Sequence, residues 1–133
     1  MDRVRDAMVV DSRVSEVGAS AQEAGQALVR PEVRAVFVCD RGRLIGVVTR
    51  KTLVREVVAA GRDPRTTVLA EIAEEPIATV QSDLPLDEAF RFLEERDLER
   101  VPVVEDGRFV GILSRSVIRR RLAEDEPPPD DAL

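Results

Sequence analysis

The strongest constraint on this 133-residue chain is that it contains much of itself twice. Displaced by 65 positions, Val36-Phe37-Val38-Cys39 falls on Val101-Pro102-Val103-Val104, and Gly42 to Arg50 falls on Gly107 to Arg115. Across residues 21–58 ten positions are identical without a gap: Glu23, Ala24, Leu28, Val36, Val38, Gly42, Arg43, Gly46, Arg50 and Arg55. Several other pairs exchange one aliphatic residue for another. Earlier in each half the register is expected to shift slightly, because Val14 and Val17 match Ile77 and Val80 best. Glycines, apolar runs and helix positions kept together over that length mark a duplication.

Each half reads as strand, helix, strand, strand, helix. Ser20-Ala21-Gln22-Glu23 has the spacing of a capping box, in which serine accepts from the first turn and glutamate reaches back. The helix after it places Ala21, Ala24, Gly25 and Leu28 on one stripe, and its counterpart places Leu86, Ala89, Phe90 and Leu93 there, with Pro85 in the first turn. Asp40-Arg41-Gly42 and Glu105-Asp106-Gly107 each separate two apolar runs and predict hairpins. Each half ends in a helix, with Leu53, Val54, Val57 and Val58 in the first and Val117, Ile118 and Leu122 in the second.

Ala35 to Cys39 and Leu44 to Val48 are apolar without alternation, so both faces of these strands are expected to be buried. Helices cover one face. In a chain this short the sheet of the other half is the simplest cover for the second. The expected fold is therefore α+β, two βαββα repeats packed about a pseudo-twofold axis, with neither repeat stable alone. The first repeat is placed at 1–60, a linker at 61–67 containing Gly61 and Pro64, and the second repeat at 68–124. The remainder, 125–133, is acidic and rich in proline, and is expected to be disordered. It either serves solubility or folds back over Arg119 to Arg121.

Charge and composition narrow the function. The net charge is −6, but five acids lie in a tail without Lys or Arg (Glu124, Asp125, Glu126, Asp130 and Asp131), leaving 21 acids against 20 bases elsewhere. That balance argues against a general nucleic-acid or anionic-membrane surface. The chain has no His, which removes imidazole ligands and histidine bases, and no Trp or Tyr for base stacking. Cys39 is alone in an apolar run, so it is expected in the core, and a single cysteine fits a reducing cytoplasm. No metal site or cofactor is expected. No apolar run approaches membrane-spanning length.

Both repeats end their third strand with glycine, two apolar residues and a hydroxyl: Gly46-Val47-Val48-Thr49 and Gly111-Ile112-Leu113-Ser114. The hydroxyl stands where a helix N-cap belongs. First turns ordinarily favour acids, yet Arg50 and Lys51 follow Thr49, and Arg115 follows Ser114. Hydroxyl, backbone N–H groups and cations together suit a phosphate or other anion. Arginines on a solvated face after an ordinary cap are the alternative.

These residues resemble the cystathionine-β-synthase (CBS) domain, here as a tandem pair or Bateman module, over roughly residues 4–123. The resemblance rests on Val4-Arg5-Asp6-Ala7-Met8, on Val101 to Gly107 and on the two Gly-x-x-(Thr/Ser) segments. It implies two clefts between the repeats that bind adenosine-containing ligands such as AMP, ADP, ATP, S-adenosylmethionine or NAD. It also implies a regulatory role, a homodimer and an unidentified regulated protein. Carried over position by position, Thr49 and Ser114 match the hydroxyl that meets ribose or phosphate, with Arg50, Lys51 and Arg115 beside them. Ile77, Ala78 and Thr79 match the strand that contacts adenine, and Pro102 matches the apolar run. Three residues beyond the end of the Gly-x-x-(Thr/Ser) segment, ligand-binding members carry an aspartate for the ribose hydroxyls. Thr52 and Val117 stand at those positions.

Two functions follow: a regulatory module sensing an adenosine-containing ligand, or a dimerisation module whose clefts bind no nucleotide. An enzyme is disfavoured, because paired carboxylates such as Asp87-Glu88 and Glu94-Glu95 fall on the outer face of an amphipathic helix.

Overall fold

A computed structural model of the protein describes residues 2–10 and 14–125. The tail beyond Asp125 lies outside the described residues, as do both readings of it. The fold class is α+β, and each half has the predicted order. A short helix α1 (Val4–Ala7) precedes β1 (Val14–Glu16), α2 (Ala21–Leu28), β2 (Val36–Asp40), β3 (Arg43–Val48) and α3 (Arg50–Leu53), which continues as a π-helical turn over Val54–Val58. A second short helix α4 (Leu69–Ile72) precedes β4 (Val80–Gln81), α5 (Leu86–Glu95), β5 (Arg100–Glu105), β6 (Arg108–Ser114) and α6 (Arg115–Asp125).

Local chemistry explains the hairpins. Arg41 and Gly42 have φ of 53° and 86°, and Asp106 and Gly107 have 53° and 80°. Two successive left-handed residues make the turn whose twist suits antiparallel strands, and glycine takes the second place at no steric cost. β1 lies parallel to β2, and β4 parallel to β5. Ser15 pairs with Val38 and Glu16 with Cys39, while Val80 pairs with Val103 and Gln81 with Val104. The 65-residue spacing thus holds through the first strands, and the expected shift does not occur. The mismatch in side chains arises because Val80 is buried whereas its equivalent Ser15 is only half-buried.

The compact units are not the linear repeats. One unit holds Asp11–Ile77 with Asp106–Phe109; the other holds Met1–Val10, Ala78–Glu105 and the chain from Val110 on. Each repeat is closed by the segment that precedes the other. In the first unit Leu69 N–H donates to the Ala19 carbonyl at 2.8 Å and Ala70 N–H to Val17 at 3.0 Å. In the second unit Val4 N–H donates to Leu84 at 2.9 Å and Arg5 N–H to Ser82 at 2.9 Å, the same bonds 65 positions apart. Leu69 and Ile72 accordingly join a core with Leu28, Val36, Val38 and Val48. Val4 and Ala7 join a core with Leu93, Val101, Val103, Leu113 and Ile118.

The repeated glycine before each hydroxyl follows from this closure. Val47 and Glu74 form a reciprocal backbone bridge in one unit (2.8 and 2.9 Å), as Val9 and Ile112 do in the other (2.9 and 2.8 Å). A Cβ on Gly46 would stand 2.8 Å from the Glu74 carbonyl oxygen, and one on Gly111 2.9 Å from that of Val9. Neither strand leaves room for a side chain there.

Three details depart from the sequence reading. Strand β2 is buried through Cys39, whose thiol is pushed up by burial and by the Glu16 charge, but β3 leaves Ile45 48% exposed. Capping of α2 is one-sided, with Ser20 Oγ accepting from Glu23 N–H at 3.2 Å, and Pro85 is the N-cap of α5 rather than a first-turn residue. Within the π turn Val57 is buried, while Val54 and Val58 are 60% and 73% exposed.

Candidate ligand-binding site

The hydroxyl positions do cap helices. Thr49 precedes α3, its Oγ1 accepting from Thr52 N–H at 3.3 Å, while Thr52 Oγ1 accepts from Thr49 N–H at 3.0 Å. The two hydroxyls also meet at 3.0 Å. This is a reciprocal capping box closed by a second threonine, and Thr52 is fully buried in it. In the other repeat Ser114 Oγ accepts from Val117 N–H at 3.2 Å, with Ser116 Oγ at 3.4 Å. Val117 has no polar group with which to return the bond.

The cations differ more. Arg50 is exposed and its guanidinium donates to the Arg30 carbonyl at 2.6 Å. Its equivalent Arg115 is largely covered and lies between two acids, 3.6 Å from Asp97 and 3.6 Å from Glu99. Burial pushes the Glu99 carboxyl up, but hydrogen bonds from Ser116 and the charges of Arg115 and Arg100 outweigh it and hold it below its ordinary range. Lys51 is exposed. Asp97, Glu99 and the Arg30 carbonyl were not singled out in the sequence. Arg30 is replaced by Glu95 in the second repeat, so the repeat pattern does not single out these partners.

The remaining candidates divide between the units. Ile77 belongs with Thr49, Arg50, Lys51 and Thr52, and Ala78, Thr79 and Pro102 belong with Ser114 and Arg115. Ile77 is 87% exposed, the highest of the exposed large hydrophobic residues described. Thr79 is exposed, Ala78 is half-buried against the second unit's core, and Pro102 is buried in β5.

The CBS domain model matches residues 4–59 and again 69–124. The chain belongs to the CBS domain family. Among curated CBS-pair relatives it is 34% identical over 102 residues to hypoxic response protein 1 of Mycobacterium tuberculosis, covering 76% of this chain and 71% of that protein. The crystal structure of Hypoxic Response Protein I with two coordinated zinc ions superposes with a TM-score of 0.76 at 30% identity, covering 91% of this chain and 99% of that one. CBSX2 in complex with AMP superposes with a TM-score of 0.71 at 26% identity, covering 92% and 96%.

This CBS pair has no His, Cys39 is buried in β2, and no group of three His, Cys, Asp or Glu suited to a metal occurs among the described residues. No described helix is long and apolar enough to cross a membrane.

Proposed function

We propose that this CBS pair is a regulatory module that binds an adenosine-containing ligand, such as AMP, ADP, ATP, S-adenosylmethionine or NAD. In this reading it is a cytoplasmic homodimer that passes the ligand state to a separate protein and catalyses no reaction. The observation that carries it is Ile77, an aliphatic side chain held almost wholly in solvent. A solvent-facing aliphatic surface suits the face of a flat, weakly polar ring such as adenine. Exposed Lys51, following Thr49 and Arg50 in the same unit, supplies charge for phosphate. AMP in CBSX2 supports the ligand class. Ala78, Thr79, Pro102, Ser114 and Arg115 form the corresponding set in the other unit, with Thr52 a support rather than a contact.

Calorimetric titration and thermal shift with the five ligands test the reading. The expected result is saturable binding by at least one, raising Tm with concentration, and loss of that response in Ile77→Asp. No response at millimolar ligand would exclude it.

A second reading, an association module without a nucleotide, is favoured by Thr52 and Arg115. The first is sealed in a capping box, and the second is already paired with two acids. It predicts a dimer whose Tm ignores all five ligands.

A further inference from the structure

The two repeats surround the same arginine with opposite charges. In the second, the segment entering β5 brings Asp97 and Glu99 each to 3.6 Å from Arg115, and Arg115 N–H donates to the Glu99 carbonyl at 2.7 Å. Displaced by 65 positions, Arg115 becomes Arg50, Glu99 becomes Arg34, Asp97 becomes Glu32, Glu95 becomes Arg30 and Ser116 becomes Lys51. One cation among three acids in the second repeat is thus replaced by four cations around one acid in the first. The pairing of Val36 with Val48 sets Arg34 and Arg50 each two residues beyond it, the places that Glu99 and Arg115 hold in the second repeat. Opposite charges facing one another across strands attract, and like charges there are unfavourable. Arg30, Arg34, Arg50 and Lys51 are all exposed, and among the described residues none of them forms an ion pair. The Arg50 guanidinium donates instead to the Arg30 carbonyl at 2.6 Å, which ties the two segments of the patch together.

We infer that this patch docks an extended acidic segment of another protein, one with carboxylates at alternate residues. The inference rests on the separate protein of the reading above and not on its ligand. The second repeat supplies the template, since Asp97 and Glu99, two residues apart, hold one arginine between them. In an extended chain residues two apart share a face, so a segment with alternate acids presents successive carboxylates to Arg50 and Arg34. The planar guanidinium fork takes a carboxylate through two parallel hydrogen bonds. Such a segment brings to the first repeat the acids that the second carries in its own chain. The near balance of charge outside the tail leaves the patch without a wider basic track for nucleic acid or an anionic membrane.

Fluorescence anisotropy on the full chain, with a labelled, end-capped peptide of four acids at alternate positions separated by serine, tests the patch. Saturable binding that weakens as salt rises is expected. Arg34→Glu, which restores the acid of the second repeat, is expected to weaken binding about tenfold or more, with circular dichroism confirming the fold. Arg34→Lys keeps the charge without the fork and is expected to weaken it less. Arg120→Glu, the same change of charge at an exposed place on α6, is expected to leave binding unchanged. A peptide of the same composition with its acids in adjacent pairs is expected to bind more weakly. No binding, indifference to Arg34→Glu, or equal binding of the rearranged peptide overturns the inference. Each leaves the ligand reading standing, because Arg34 lies outside that ligand set, and an absent nucleotide response overturns that reading alone. Tripolyphosphate or anionic phospholipid vesicles that bind more tightly than the peptide through Arg34 also overturn it, since the patch is then a phosphate site.

Discussion

The two repeats share one backbone plan but treat their helix layers and helix starts in opposite ways. The second fills its inter-helix space with Phe90 and sets charges outside it; the first has Gly25 there and exposes valines. The first seals its cap reciprocally with two threonines, while in the second Ser114 accepts from Val117 N–H without a return bond from that side chain, and Arg115 lies between Asp97 and Glu99. Duplication therefore preserved what each unit needs for closure and left the surfaces of the helices free to diverge. One half is the more self-contained. The other offers an apolar face.

The largest expected effect is where the halves are the same. Gly46→Val and Gly111→Val should each cost about 3 kcal/mol in chemical denaturation, since the Cβ meets backbone oxygen on a docked segment rather than a yielding side chain. Clearly unequal losses would break the equivalence of the two closures.

Phe90→Ala comes next, at about 2 kcal/mol, because the ring is only half-buried. The reverse substitution at the matching site, Gly25→Ala, should instead stabilise by about 0.5–1 kcal/mol. Its Cβ meets Leu53 Cδ1 at an ordinary 3.7 Å, in the interior of α2. Opposite signs at Phe90 and Gly25 would confirm that one groove is filled and the other open.

At the caps, Thr52→Val should cost about 1 kcal/mol by leaving the Thr49 N–H unpaired, while Val117→Thr changes Tm little. The smallest effect is at Glu99. Its folded pKa is lowered, so its contribution is present above its ordinary pKa of 4.5 and is lost as pH falls through the lower folded value. Glu99→Gln should therefore lower stability slightly at neutral pH, leave it nearly unchanged in acid, and so flatten the acid side of the stability curve. The group is close to solvent, which screens the effect.

Much of this architecture was legible in residues 36–58 and 101–123. Hairpin turns, hydroxyl caps and apolar strands are local devices whose residues carry their own conformational preferences. The misreadings have a physical pattern. Val17 was matched to Val80 by apolar character, but hydrogen-bond register, which ignores side chains, sets Ser15 against Val80. The candidate site was legible as Thr49 and Ser114. Its electrostatics were not, since the partners of Arg115 stand beyond a whole hairpin in the chain.

Sequence by itself determined that there are two βαββα repeats, where each turns, and which hydroxyls start the last helices. These follow from periodicity and from what glycine, serine and threonine do to a nearby backbone. Only the tertiary structure decided which segment closes which repeat. The docking ladders beside Ala19 and Leu84 accept the same hydrogen bonds, and the apolar residues of α1 and α4 fit equivalent cores. Two nearly equal receptors leave no local preference to read; the choice belongs to the packing of the whole chain.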